Sequence, residues 1–357
     1  MKRLLWTVLY TLAFGVIAGI CTAETLRLDP QGSWQNLDQD PQGQYLLKIA
    51  EIKQKIASGD QKTALAALQQ LKQDFEGQVG PDLDAFIQAE ELFAKNKLAK
   101  AAKKYQIFLK DRPLSPLAPS AEERLFSIAA AFLQGQKRVI LGILPLPAFD
   151  EGAEIMQDIA DRHGDQPISL RALTSLAQAY EKKLLFPDAY RVWSQVADLW
   201  PTGQAGQNAL LHMAQSLHAA YKGPKYDSTW LASAKSYYQD YLTRYPQHAG
   251  QINVQNTLEL ITEQQAYKDY SIADYYDRTD QVQAANLYYG LVNDDWPGTQ
   301  ADLRVKHLRS AQADGSIGPK QKSWRRKTFD LTARFLDSWF GLTALSKKSA
   351  TEPEPTT

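Results

Sequence analysis

The chain has a single cysteine, Cys21. No disulfide can form within it, and a zinc site built on cysteines is excluded. It has no excess charge of either sign, because 40 Lys and Arg face 40 Asp and Glu. Bulk electrostatics therefore do not direct it to nucleic acid. It has no glycine-rich loop after a strand, no P-loop and no Gly-x-Ser-x-Gly elbow. Its five histidines, His163, His212, His218, His248 and His307, are scattered. His212 and His218 are six residues apart, which keeps them off a common helix face. The adjacent acids Glu90-Glu91, Glu122-Glu123 and Asp294-Asp295 read as solvated helix surface. These absences point away from an enzyme, a metal site or a cofactor, and towards binding. Beyond the first 23 residues no stretch is long and apolar enough to span a bilayer.

What the chain does have is a pattern of six positions that recurs at one spacing. Ala177, Tyr180, Ala189, Trp193, Val196 and Pro201 return as Ala273, Tyr276, Ala285, Tyr289, Val292 and Pro297, each 96 residues further on. A less complete copy is Ala89, Leu92, Ala101, Tyr105, Phe108 and Pro113. The spacing describes two antiparallel helices pressed together through small residues. An alanine opens the second helix where the backbones come closest. An aromatic four residues later fills the gap, and a proline ends the pair. This is the tetratricopeptide (TPR) pattern, in which a helix pair buries its apolar face only by stacking on its neighbours. The fold class expected is all-α, a tandem solenoid of about six helix pairs with a capping helix.

Residues 1–23 read as an export signal. Lys2 and Arg3 precede the apolar stretch from Leu4 to Ile20, and Cys21-Thr22-Ala23 sets small residues before a cut after Ala23. A retained membrane anchor is the alternative. Cys21 is either lipidated or discarded with the signal. The position just before it, small in a lipobox, is Ile20. Residues 24–43, rich in Gln, Asp, Gly and Pro, read as a linker, and 44–312 as the solenoid. Its pairs fall at 45–75, 82–113, 120–162, 168–201, 204–246 and 250–297, followed by a cap over 299–312. An apolar insert, Arg138 to Pro147, interrupts the third pair. It is either an exposed hydrophobic edge or a loop folded back on the array. Residues 313–345 carry an amphipathic helix from Trp324 to Phe340, with Trp324, Leu331, Phe335 and Trp339 near one face. Arg325, Arg326, Lys327 and Arg334 accompany it, so it either packs on the cap or lies on an anionic membrane surface. Residues 346–357 read as a disordered tail.

Three tyrosine pairs stand out: Tyr237-Tyr238, Tyr275-Tyr276 and Tyr288-Tyr289. One member of each matches a core position, which leaves Tyr275 and Tyr288 outward. With Lys268 and Asp269 they are the expected partner contacts of the final repeat.

In the order of its motifs the chain resembles the BamD outer-membrane assembly lipoprotein family. The strongest stretch is AYKDYSIADYYDRTDQVQAANLYYGLVNDDWP at 266–297, supported by YYQDYLTRYP at 237–246 and AKAAKKYQIFLKDRP at 99–113. The likeness covers 82–312. It implies a non-enzymatic periplasmic adaptor, peripheral to or anchored at the outer membrane. Its partners would be a barrel-assembly component and unfolded outer-membrane proteins or peptides. The third pair departs from the family by ending in His163-Gly164. A general periplasmic TPR scaffold for cell-wall or envelope processes is the second reading.

Overall fold

The computed structural model describes residues 26–28, 34–36, 41–75, 81–140 and 144–313. The signal with Cys21 and Ala23, the amphipathic segment at 324–340 and the tail lie outside them. The chain divides into two compact units. The first holds residues up to Ile128 together with Arg138–Leu146, and the second holds Ala129–Lys137 and everything from Pro147 onward.

In the first unit, where a linker is expected, β1 (Leu26–Leu28) pairs antiparallel with β2 (Trp34–Asn36). Helix α1 (Pro41–Ala57) then starts inside the expected linker and packs on α2 (Gln61–Asp74). Next come α3 (Pro81–Ala94), α4 (Leu98–Asp111) and the start of α5 (Ala118–Leu133). The insert forms a hairpin of β3 (Lys137–Ile140) with β4 (Leu144–Pro147). On it Leu144 is exposed and Leu146 half-buried.

The second unit continues with α6 (Phe149–His163), α7 (Pro167–Lys182), α8 (Phe186–Leu199), α9 (Gly203–Ala220) and α10 (Thr229–Arg244). A short α11 (Pro246–Gln251) leads to α12 (Val254–Arg278), α13 (Val282–Asp295) and α14 (Gln300–Ala313). Consecutive helices pack on one another from α6 to α10, and α12, α13 and α14 make the final group. Each unit is thus an array of helix pairs, the first with two small two-stranded sheets besides, and the pair boundaries lie close to those the repeat spacing predicts.

The repeat positions do what the spacing requires. Ala89, Ala101, Ala177, Ala189, Ala273 and Ala285 are all buried, as a close helix crossing demands. Tyr105, Trp193 and Tyr289 fill the gaps beside them. Tyr180 and Tyr276 are only half-buried, and Pro201 and Pro297 are exposed. The prolines act as terminators rather than core, because a proline drives the residue before it out of the helical region. Arg112, Trp200, Tyr245 and Trp296 each precede a proline, and all four cap their helix with φ between −128° and −138°. Gly206, in the first turn of α9, lies so close to the Trp200-Pro201 end that an added Cβ would sit 2.5 Å from the Trp200 carbonyl.

The turns inside the pairs share a device that the residue pattern does not reveal. Asn96, Leu184 and Asp280 occupy equivalent places and all have left-handed backbone, with φ of 54°, 60° and 62°. In each turn the next N–H returns to a carbonyl five residues back: Lys97 to Leu92, Leu185 to Tyr180 and Gln281 to Tyr276. These bonds satisfy carbonyls that a helix end leaves unpaired.

Candidate protein-binding surface

The final helix pair carries the residues expected to meet a partner. Tyr270 and Tyr289 pack in its core with ring centroids 6.0 Å apart. Tyr276 and Tyr288 border that core, one from α12 and one from α13, and stack at 5.4 Å with their planes 16° apart. Tyr275 meets Tyr276 edge-on at 5.6 Å and is 55% exposed. The outward tyrosines are therefore not equivalent. Tyr275 stands in solvent at the end of a chain of three rings, whereas Tyr288 is half-buried in that chain. Stacking a ring across the helix crossing removes apolar area that a free tyrosine would leave in water. Beside them on α13, Leu287 is 63% and Leu291 39% exposed.

Lys268 and Asp269, also expected as partner contacts, are half-buried and each bonds within the protein. The Trp296 indole N–H donates to Asp269 Oδ2 at 2.7 Å, since a half-buried indole needs an acceptor. The Lys268 ammonium donates to the Tyr226 carbonyl in the α9–α10 connection. Asp269 thus ties the end of α13 to α12. Lys235 of α10 lies 5.6 Å from the Trp296 ring centroid. Near that point a cleft of about 540 Å³ opens between α10, α12 and the α13–α14 turn. Lys235, Gln239, Leu242, Glu259, Glu263 and Thr299 contribute to its lining. Donors, acceptors and apolar surface mix there, with Glu259 and Glu263 against Lys235.

Three polar clusters escape the sequence reading because their members lie far apart in the chain. Glu181 Oε1 accepts from Trp193 Nε1 at 2.8 Å and pairs with His212 Nδ1 at 2.9 Å. The His212 ring stacks on Trp193 at 4.4 Å. Burial pushes the His218 pKa below its ordinary value, and its Nε2–H donates to Gln264 Oε1 at 2.9 Å. In the first unit, Glu90 is buried rather than solvated. Arg124 grips both its oxygens at 2.7 and 2.8 Å, and the Tyr105 hydroxyl donates to it at 2.5 Å. Phe93 covers the guanidinium at 4.5 Å. A buried carboxylate is tolerable only with such partners. Burial and the Glu90 charge together hold the Tyr105 phenol well above its usual pKa.

Among the described residues no group of three or more His, Cys, Asp or Glu is placed to hold a metal. No described helix is long and apolar enough to cross a membrane. The fold and its surface define a helical-repeat protein. No family model matches the chain, and no curated protein matches it.

Proposed function

We propose that the protein is a non-enzymatic adaptor that holds partner proteins on its later helix pairs. The setting is the BamD-like one that the motifs at 99–113, 237–246 and 266–297 imply: the periplasmic face of the outer membrane, during assembly of barrel proteins. The observation that carries the reading is the exposed Tyr275, packed edge-on against Tyr276, which stacks on Tyr288. Pre-ordered aromatics are the usual anchors of protein interfaces, and a buried scaffold beneath them lowers the entropy lost on binding. The mixed cleft beside Lys235 and Glu263 offers an extended peptide a second foothold.

Tyr275→Ala is the clean probe, since Tyr288 also supports Tyr276. It is expected to weaken binding of a barrel-assembly component's periplasmic domain by about 2 kcal/mol. Its thermal melt should match that of the parent. Titration calorimetry with both proteins checks the first point, and a melt the second. Purification from crosslinked membranes tests the setting. Recovery of cell-wall synthases without any barrel-assembly component would replace this reading with the general scaffold.

A further inference from the structure

The outer side of α13 bears two successive exposed leucines, Leu287 and Leu291, where the α8 copy has Arg191 and Gln195 and the α4 copy has Lys103 and Ile107. Leu287 is 63% exposed. Leu291 follows one turn later on the same face, with Tyr288 three residues before it. The same row then runs into the exposed pair Asp294-Asp295. Residues 254–298 contain eight Asp and Glu against Lys268 and Arg278; of these acids Glu263 and Asp269 are engaged by the Gln300 N–H and Trp296, and the adjoining α14 adds Arg304, Lys306 and Arg309.

The chain's own C-terminal segment has the reverse order. The basic triplet Arg325-Arg326-Lys327 comes first, and Leu331, Phe335 and Trp339 follow at four-residue spacing. Over residues 315–345, six Lys and Arg face only Asp330 and Asp337. Laid antiparallel to α13, the triplet meets Asp294 and Asp295 while Leu331 and Phe335 meet Leu291 and Leu287. The tether is long enough. Ten residues separate Ala313, where α14 ends, from Trp324. Extended they reach about 35 Å, against about 21 Å for the whole of α13.

We propose that segment 324–340 docks antiparallel on the outer face of α13, covering Leu287 and Leu291 and pairing its basic triplet with Asp294 and Asp295. Two independent complementarities carry this: an apolar row facing an apolar row, and an acidic end facing a basic end in the one orientation that satisfies both. The inference stands apart from the adaptor reading, because it needs no second protein.

The test is cysteine reactivity in the full chain carrying Cys21→Ser, in buffer without lipid. Leu287→Cys is the probe and Leu303→Cys on α14, 50% exposed, is the control. Leu287→Cys should react with a maleimide at least tenfold more slowly than Leu303→Cys. Replacing Arg325, Arg326 and Lys327 by Glu, or Phe335 by Asp, should bring the two rates together. In the chain carrying both Leu287→Cys and Phe335→Cys, oxidation at low protein concentration should give a crosslinked monomer. Equal rates in all variants would overturn the proposal. So would crosslinked dimers alone, which make a second copy the occupant. Protection of Leu287→Cys that appears only when vesicles of anionic phospholipid are added would assign the segment to the membrane instead.

Discussion

Leu184 holds a left-handed conformation with φ of 60° while its side chain is 62% exposed. A leucine there keeps Cβ close to its own carbonyl and gains no packing in return. The equivalent places in the other copies hold Asn96 and Asp280, whose short polar side chains tolerate this region. Leu184→Asn is therefore expected to stabilise the protein by about 1 kcal/mol, read as a higher urea midpoint with an unchanged slope. Glu90 presents the opposite case, a residue whose surroundings leave no freedom. Arg124→Ala strands its buried carboxylate and should destabilise by about 3–5 kcal/mol. Tyr105→Phe removes one hydrogen bond and should cost about 1–2 kcal/mol. If equilibrium unfolding ranked the two variants equally, the ion pair would not be the dominant contact.

At the scale of the element, α14 shows how a terminal helix is held by its first turn. Thr299 Oγ1 accepts from the Asp302 N–H, and Asp302 Oδ2 reaches back to accept from the Gly298 N–H at 2.8 Å, so side chains take up donors on both sides of the helix start. Glu263 of α12 accepts from the Gln300 N–H, fixing the cap to the neighbouring helix. The Lys306 ammonium, with the Gly298 N–H, holds the Asp302 carboxyl below the usual carboxylate range. A depressed carboxyl pKa contributes stability at neutral pH, and this is lost as pH falls through the folded value, below the ordinary 3.8. Asp302→Asn should thus lower the urea midpoint at pH 7, and its difference from the parent should shrink as pH falls below 3.8. A difference that stayed constant across this range would assign the effect to helix packing rather than to the charge.

At the scale of the whole molecule, arrays of helix pairs distribute stability among local interfaces rather than in one centre. Trp193 is 2% exposed, donates to Glu181 and stacks on His212. Trp193→Ala should destabilise by about 3–5 kcal/mol. It shares no partner with the Glu90 cluster, which belongs to the other unit. Combined with Tyr105→Phe, its effect should add to within about 0.5 kcal/mol. Chemical denaturation of the two single variants and the double variant checks this, and a larger interaction term would show that the two units are energetically coupled.

The sequence by itself determined the all-α class and the places where most of the helix pairs end, though not that the first helix begins at Pro41 inside the expected linker. Alanines at crossings, aromatics one turn later and prolines at the ends act within a single pair, so their spacing is visible along the chain. The prolines also report their own effect, since Trp200 and Trp296 leave the helix before them. The left-handed turn was half legible: Asn96 and Asp280 are turn residues, but nothing about Leu184 announces a positive φ. Only tertiary structure decided which polar groups are buried. Glu90 looks like its solvated neighbour Glu91 until Arg124 arrives from 34 residues away. Asp269 and Tyr288 look like free surface until Trp296 and Tyr276 take them up. Partners chosen across such separations depend on how whole helices stack, and no local pattern of residues encodes that geometry.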